Sequence, residues 1–285
     1  MSELLRRVLV ALIGAPLALW LIWLGDAPLA TLAGVLSAIA AWEFFRIARE
    51  GGAKPLAGVG IALSALAPIA THAHFLGVVR VPIVAYSLLV LALIALSLWT
   101  HGVAGRPLSA VASTLLGVLY TGGTLSYVYA LRYFNYAVGD TAGALVVMMP
   151  VVLTWASDTG AFFAGRAIGG PKLMPSVSPA KTISGSVGAI VTTTIVCALF
   201  VSFLLKPYAQ LAFSPFGLVL FGVGISITAQ IGDLAESMFK REAGVKDSGT
   251  LFPGHGGVLD RLDSLFFVLP VAYVLYWLLL IPVPA

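Results

Sequence analysis

The feature that most constrains the fold of this chain is a series of long apolar stretches that fill most of its 285 residues. A bilayer core of about 30 Å is crossed by about 20 helical residues, and only helices or closed barrels satisfy their backbone hydrogen bonds there. Applying this length predicts nine transmembrane helices, at residues 8–24, 28–45, 56–71, 82–99, 109–130, 142–163, 186–205, 215–236 and 264–282. We therefore expect an all-α, polytopic integral membrane protein.

The composition favours a membrane protein over a soluble one. Hydrophobic residues make up 60% of the chain and charged residues only 10%, whereas soluble domains carry about 25% charged residues. The single cysteine, Cys197, lies in an apolar stretch, which excludes an intramolecular disulfide and a cysteine-based metal site. The N-terminus looks like a signal peptide but shows no Ala-x-Ala cleavage pattern, so we predict a retained first helix.

The basic residues sort to one side of the predicted helices. With the N-terminus placed in the cytoplasm, 13 of the 16 lysines and arginines fall in cytoplasmic loops, and the remaining ones are Arg80, Arg132 and Lys206. Such a bias sets the orientation of membrane proteins. It also explains the net charge of +4 without a nucleic-acid partner. We predict a multi-pass protein of the cell inner membrane whose N-terminus and longest polar connections face the cytoplasm.

Two polar connections, at about residues 165–185 and 237–263, are the longest between the predicted helices. From Asp233 to Asp263, 31 residues carry ten of the chain's 28 charged side chains. Charge is costly next to hydrocarbon, so its concentration indicates function. We therefore divide the chain into an N-terminal scaffold, residues 1–141, and a segment that carries the chemistry, residues 142–285.

The first connection has the composition of an anion-binding loop. Asp158 precedes it in an apolar helix, and glycines and prolines separate the basic residues that follow, which are Arg166, Lys172 and Lys181. Glycine lets the backbone approach a ligand, and the cations neutralise phosphate charge. Thr182 or Ser184 is predicted to cap the next helix, where free N–H groups favour phosphate.

The second connection combines cations with carboxylates, which are Asp233, Asp247, Asp260 and Asp263. Oxygen ligands suit Mg²⁺, which one or two carboxylates hold together with water and substrate phosphates. With the lysines and arginines of both connections, this pattern fits phosphoryl or nucleotidyl transfer, where charge neutralisation dominates. An alternative from another class is an ion-coupled transporter with Asp158 and Asp233 as coupling acids, although such acids usually lie at the midplane of broken, repeated helices.

A long and irregular motif runs through these connections. It reads Ser237-x-Phe239-Lys240-Arg241, Lys246-Asp247 and Pro253-x-His255-Gly256-Gly257-x-x-Asp260-Arg261-x-Asp263. This motif resembles that of the phosphatidate cytidylyltransferases, as do Gly232-Asp233-Leu234 and the region from Ser157-Asp158-Thr159-Gly160 to Lys181-Thr182. Ser184 departs from the family, which more often has an acid there. Over about residues 150–285 the resemblance rests on specific residues. Over residues 1–150 it rests only on hydropathy and length.

The resemblance implies a reaction in which CTP and phosphatidic acid give CDP-diacylglycerol and pyrophosphate. It implies that Mg²⁺, with room for a second cation, is bound by Asp233 and Asp260, supported by Asp263 and Asp247. It also implies a lipid bilayer around the protein and a homodimer. A CTP-dependent lipid kinase of the polyprenol or phytol type is the nearest alternative, and it would transfer the γ-phosphoryl group.

The remaining roles implied by the resemblance concern the substrates. Lys240, Arg241, Lys246 and Arg261 would hold the triphosphate or the leaving pyrophosphate, and Ser178, Lys181 and Thr182 would bind a phosphate. Ser237, Gly256 and Gly257 belong to the same substrate-binding set. Asp158 would order its loop or join the metal site, and His255 would shape the glycine-rich turn or contact phosphates.

One acidic residue lies far from these connections, at the end of the second predicted helix. Trp42 and Glu43 precede Phe44, Phe45 and Arg46 there. Aromatic and charged residues are enriched where a transmembrane helix meets the interface. We interpret this cluster as an interfacial anchor of the helix end.

Overall fold

The computed structural model describes residue 14, residues 16–249 and residues 256–283. In that part of the chain, eight helices are long and apolar enough to cross a membrane, and they are α1 Asp26–Glu50, α2 Ala57–Phe75, α3 Ile83–His101, α4 Pro107–Arg132, α5 Asp140–Ile168, α6 Ile183–Ala209, α7 Pro215–Glu242 and α8 Leu259–Leu279. They correspond to the second through ninth predicted helices. The first, residues 8–24, lies only partly within the described residues, of which 16–24 are helical.

The predicted class is therefore confirmed: the chain is an all-α, polytopic membrane protein. The total of nine helices and the cytoplasmic N-terminus stay predictions. Pro68 lies inside α2 without ending it, because neighbouring groups compensate proline in packed membrane helices. Single π-helical turns interrupt α4 at Leu119–Gly123 and α6 at Val201–Leu205.

Two short antiparallel strand pairs accompany the helices. Strand β1, Lys172–Met174, pairs with β2, Ser178–Thr182, so the first polar connection is a hairpin rather than an irregular loop. Strand β3, Leu211–Phe213, pairs with β4, Leu280–Pro282, at the end of α8. The hairpin leads directly from α5 into α6 and places its polar residues next to both helices.

The chain forms two compact units, each assembled from separated stretches. The first unit includes residues 26–129 and 239–261, and the second includes residues 13–25, 130–238 and 262–285. The second polar connection thus belongs to the unit built mainly from α1 to α4. The predicted division at residue 141 separates a scaffold from the segment that carries the chemistry, and not one packing unit from another. It therefore stays a prediction.

In the first unit, small residues let helices approach closely around Phe45 of α1. This ring is fully buried. A Cβ added at Gly60 of α2 or Gly117 of α4 would lie 2.4 Å from it, so only glycine fits at either position. Small residues at crossings are the usual means by which membrane helices pack, because lipid supplies no hydrophobic driving force between them.

In the second unit, α5 and α6 also pack closely through small residues. A Cβ at Gly188 would lie 2.2 Å from the Cβ of Ala164, and one at Gly160 would lie 2.6 Å from Thr192 Oγ1. Tyr276 of α8 is fully buried and donates to the carbonyl of Val146 at 3.0 Å. These contacts hold α5, α6 and α8 in fixed positions relative to one another.

Arg132, assigned to an outer loop by its sequence, has a structural role. It lies at the end of α4 and is 2% exposed. It donates to the carbonyls of Ile22 and Trp23 at 3.0 and 3.1 Å and to Asp140 Oδ1 at 2.9 Å. The last carbonyls of a helix have no intrahelical donor, so this guanidinium satisfies the end of the helical stretch 16–24.

Replacing Gly232 by alanine is expected to destabilise the second unit. The added Cβ would lie 2.8 Å from the carbonyl of Asp263 and from Ser264 Cα, both backbone atoms of α8. Such overpacking costs about 1–3 kcal/mol, so the midpoint of thermal unfolding in detergent should fall. Gly58→Ala is the matched control, since nothing lies within 4 Å of its added Cβ. An unchanged midpoint for Gly232→Ala would contradict the packing of α7 on α8.

Candidate active site

In the first unit, Asp260 lies in the first turn of α8 and collects several donors. Its Oδ1 accepts from Lys240 Nζ at 2.7 Å. Its Oδ2 accepts from the backbone N–H and the hydroxyl of Ser248 at 3.0 and 2.8 Å, and from the N–H of Gly257 at 2.8 Å. A carboxylate at a helix N-terminus is favoured by the orphan N–H groups and the helix dipole. Asp260 is thereby fixed in one orientation.

The Lys240–Asp260 ion pair is largely removed from solvent. The two side chains are 12% and 9% exposed, respectively. A buried charge that loses its partner is strongly unfavourable, so each member holds the other in place. The neighbouring Gly256 has φ +78, and a Cβ there would lie 2.3 Å from Asp260 Oδ2. The glycine of the motif is therefore required by both the backbone conformation and the close carboxylate.

The other charged residues of the motif in this unit lie at the surface. Arg241, Lys246, Asp247 and Arg261 are all exposed. At the surface, a lysine can reach an anionic ligand with its ammonium group, and an arginine can do so with the several N–H donors of its planar guanidinium. His255 lies outside the described residues, so both roles considered for it stay predictions.

In the second unit, Lys181 of β2 pairs with Asp233 of α7. Lys181 Nζ lies 2.6 Å from Asp233 Oδ2, and the side chains are 25% and 34% exposed. Ser237, one turn further along α7, donates to Asp233 Oδ1 at 3.4 Å. Asp233 and Ser237 therefore lie on one face of α7. The pair is partly open to solvent, unlike Lys240–Asp260.

Asp233 and Lys181 line a cavity within the second unit of about 500 Å³. Small-molecule sites commonly occupy about 300–1,000 Å³. The charged and polar residues of its wall are Ser157, Asp158, Arg166, Lys181, Thr182, Ser186, Gln230 and Asp233. The cavity thus combines both charge signs, and Asp158 of α5 lies on its wall.

The N-terminus of α6 forms one edge of this cavity. Thr182 caps the helix, since its Oγ1 accepts from the N–H of Gly185 at 3.1 Å, which confirms one of the two predicted caps. Ser184 instead donates to the carbonyl of Gly169 and so joins α6 to the end of α5. Ser178 begins β2 and is half-buried. Free N–H groups at such a terminus favour anions.

The cavity residues fit a hard divalent cation. Among the described residues, no group of three or more histidine, cysteine, aspartate or glutamate side chains is placed to hold a metal by itself. Mg²⁺, however, needs only one or two carboxylates when phosphates and water complete its ligands. Asp158, Asp233 and the Gln230 amide provide oxygen atoms of this kind.

Asp260 and Asp263, the other predicted metal ligands, are engaged by protein donors. Asp260 accepts from four groups of Lys240, Ser248 and Gly257. An ionised carboxylate has about four acceptor positions. Asp263 Oδ1 accepts from the N–H of Ser264 at 2.6 Å. Three of the four donors to Asp260 lie on its Oδ2, whereas its Oδ1 accepts from Lys240.

Sequence reasoning missed Glu43 as a site residue. Glu43 is fully buried within the protein, whereas the neighbouring Trp42 is exposed. The interpretation of this helix end as an interfacial anchor stays a prediction. The Glu43 carboxylate accepts from residues of the second polar connection. The signal in the sequence was an acidic residue followed by apolar residues within a helix. A carboxylate buried in such a setting requires hydrogen-bond partners, so the pattern indicates a contact with another part of the chain.

Among the described residues, eight helices long and apolar enough to cross a membrane define a polytopic membrane protein, and each of its two units carries a lysine–aspartate ion pair, the one in the second unit beside a polar cavity. Residues 5–279 match the model of the cytidylyltransferase family, and the chain belongs to that family. This confirms the resemblance found from the motif.

Several relatives carry the same name, phosphatidate cytidylyltransferase. The protein from Bacillus subtilis (strain 168) is 30% identical over 281 residues, which cover 96% of this chain and 98% of the relative. The protein from Staphylococcus haemolyticus is 40% identical over 161 residues, or 56% of this chain and 57% of the relative. The protein from Haemophilus influenzae is 39% identical over 170 residues, or 58% and 59% of the two chains.

Proposed function

We propose that this chain is a phosphatidate cytidylyltransferase of phospholipid biosynthesis, which converts CTP and phosphatidic acid into CDP-diacylglycerol and pyrophosphate. The observation that carries the proposal is the mixed-charge cavity with its Lys181–Asp233 pair, in a chain of the cytidylyltransferase family. The near full-length similarity to the Bacillus subtilis protein supports the same activity. Neither the family nor these relatives supports the lipid kinase or the transporter.

The chemistry needs little from the protein beyond charge and position. A phosphate monoester has a second pKa near 6, so phosphatidic acid is mostly dianionic at neutral pH. Its oxygen forms a bond to the α-phosphorus of CTP while the bond to the β-phosphate oxygen breaks and pyrophosphate leaves. No general base is required. Stabilisation of the transferred and leaving phosphates is then the main task.

The basic residues are proposed to perform that stabilisation. Lys181, Ser178 and the capped helix N-terminus at Thr182 would bind one phosphate group of a substrate. Lys240, Arg241, Lys246 and Arg261 would neutralise the triphosphate and the leaving pyrophosphate. The aspartates Asp233 and Asp260 already pair with Lys181 and Lys240, which keeps these cations oriented before substrate arrives.

Mg²⁺ is proposed as the cofactor, and a second cation is compatible with the donors. When bound, Mg²⁺ would neutralise phosphate charge in the transition state. Asp233 would hold it, with Asp158 on the wall of the same cavity. The assignment of Asp260 and Asp263 to metal binding continues to rest on the resemblance. Each carboxylate is testable by substitution one at a time.

The orientation and the assembly are also proposals. The distribution of lysine and arginine between loops supports an active site on the cytoplasmic side of the inner membrane. CTP is available on that side. A homodimer is implied by the family resemblance, and it is testable by the mass of the purified protein in detergent.

The products of the purified protein decide the proposed function. With phosphatidic acid, Mg²⁺ and CTP labelled at the α-phosphate, we expect the label in CDP-diacylglycerol. With CTP labelled at the γ-phosphate, we expect it in pyrophosphate. Transfer of the γ-label to a lipid alcohol would indicate the kinase instead. Chelation of the metal should abolish the reaction, and added Mg²⁺ should restore it.

A further inference from the structure

The buried carboxylate of Glu43 connects α1 to the motif over a long distance in sequence. Glu43 is fully buried, and its Oε2 accepts from the N–H of Leu259 at 2.7 Å and lies 3.1 Å from Ser248 Oγ. Its Oε1 accepts from the N–H of Val258 at 3.1 Å. Val258 and Leu259 stand at the N-terminus of α8, where a negative charge is favourable.

The surrounding backbone is shaped to this carboxylate. A Cβ at Gly249 would lie 2.3 Å from Glu43 Oε1, and one at Gly257 would lie 2.2 Å from both oxygens. Arg46, one turn further along α1, donates to the carbonyl of Ser248. The same helix face therefore binds the chain on both sides of residues 250–255, at Ser248–Gly249 and at Gly257–Leu259.

The groups that Glu43 binds are the groups that orient Asp260. Ser248 Oγ lies 3.1 Å from Glu43 Oε2 and 2.8 Å from Asp260 Oδ2. Gly257, packed against Glu43, donates its N–H to Asp260 at 2.8 Å. Asp260 in turn pairs with Lys240 at 2.7 Å. A continuous chain of contacts thus runs from Glu43 through Ser248 and Gly257 to the Lys240–Asp260 pair.

We propose that Glu43 is a positioning residue for cytidylyl transfer, which holds Ser248 and the start of α8 so that Asp260 keeps its orientation toward Lys240. The inference rests on the proposed function for the roles of Asp260 and Lys240. Glu43 acts on these two side chains through Ser248 and through the backbone of Gly257–Leu259. Groups that orient active-site ligands in this way typically contribute about 10–100-fold to activity.

The test compares Glu43→Gln with Glu50→Gln, the same change at an exposed position of α1. An amide presents one oxygen and one N–H₂, so it cannot accept from Ser248, Val258 and Leu259 together. We expect kcat of Glu43→Gln to fall about 10–100-fold and the Mg²⁺ concentration for half-maximal rate to rise. Both values should stay unchanged in Glu50→Gln. A folded Glu43→Gln protein with wild-type kcat and Mg²⁺ dependence would overturn the proposal.

Ser248→Ala provides a second variant that retains Glu43 and removes the hydroxyl between the carboxylates. We expect its kcat to fall at least about 10-fold, with an unchanged unfolding midpoint. In the double variant with Glu43→Gln, kcat should fall by less than the product of the two single losses. Should Glu43→Gln not fold, wild-type kcat in Ser248→Ala would reject the proposal.

Hydrogen exchange separates this inference from the proposed function. The amides of Val258 and Leu259 should exchange faster in Glu43→Gln than in the wild type or Glu50→Gln, whatever reaction the protein catalyses. Unchanged exchange would remove the positioning role. Absence of CDP-diacylglycerol from the wild-type reaction would instead reject the proposed function.

Discussion

Replacing Asp260 by asparagine is expected to reduce CDP-diacylglycerol formation at least about 100-fold, the loss that follows removal of one preorganised electrostatic group. The amide would direct an N–H₂ either at Lys240 or at the donors of Ser248 and Gly257. Lys240, only 12% exposed, would lose its carboxylate. Loss of this opposite charge is unfavourable for a largely buried cation, so the pair would separate and its orienting effect would be lost.

The matched control for this variant is Asp26→Asn. Asp26 is 65% exposed and has φ +44, a conformation that asparagine tolerates. Initial rates with labelled CTP, measured on protein that elutes as the wild type does in gel filtration, give the comparison. A rate within twofold of wild type for Asp260→Asn would contradict its role, whereas equal losses in both variants would indicate a general effect of charge.

Replacing Lys181 by alanine is expected to lower kcat/KM for CTP by about 100-fold, in the range observed when one charge-stabilising group is removed. Lys181 is the partner of Asp233 at 2.6 Å and lies on the cavity wall. Its loss removes a phosphate-binding charge and leaves Asp233 without this cation. Because the two residues act as a pair, Lys181→Ala combined with Asp233→Asn should lose less than the product of the single losses.

Lys206→Ala is the control for this second prediction. Lys206 also belongs to the second unit, is exposed and is absent from the cavity wall. Steady-state kinetics with CTP varied at saturating phosphatidic acid distinguish a loss in KM from a loss in kcat. Wild-type kcat/KM in Lys181→Ala would remove this residue from the substrate site, and additive losses in the double variant would show that the pair does not act as a unit.

These two variants address different units of the protein. Asp260 and Lys240 form a closed pair within the first unit, and Asp233 and Lys181 form a more open pair within the second. The geometry of the closed pair depends on Glu43 and Ser248. Because the open pair is more exposed, Lys181 can exchange Asp233 for an incoming phosphate, and Asp233 can exchange Lys181 for an incoming cation.

Much of this organisation was predictable from the sequence, because it depends on local properties. Apolar length alone located eight helices that the structure describes, with ends shifted by a few residues where polar turns continue as helix. The cap at Thr182 followed from a hydroxyl before an apolar run. The choice of Asp233 and Asp260 as candidate site residues followed from acids beside apolar segments and from the motif.

The tertiary structure alone decided which groups meet. Glu43 and Ser248 are 205 positions apart, and the sequence Trp42-Glu43-Phe44 within a helix has the same local pattern whether its acid faces an interface or a buried loop. The pairing of Lys240 with Asp260 and of Lys181 with Asp233 likewise depends on how α7, α8 and β2 pack within their units. Hydropathy determines where a chain crosses the membrane, but only the packing of those helices against one another determines which charged side chains pair.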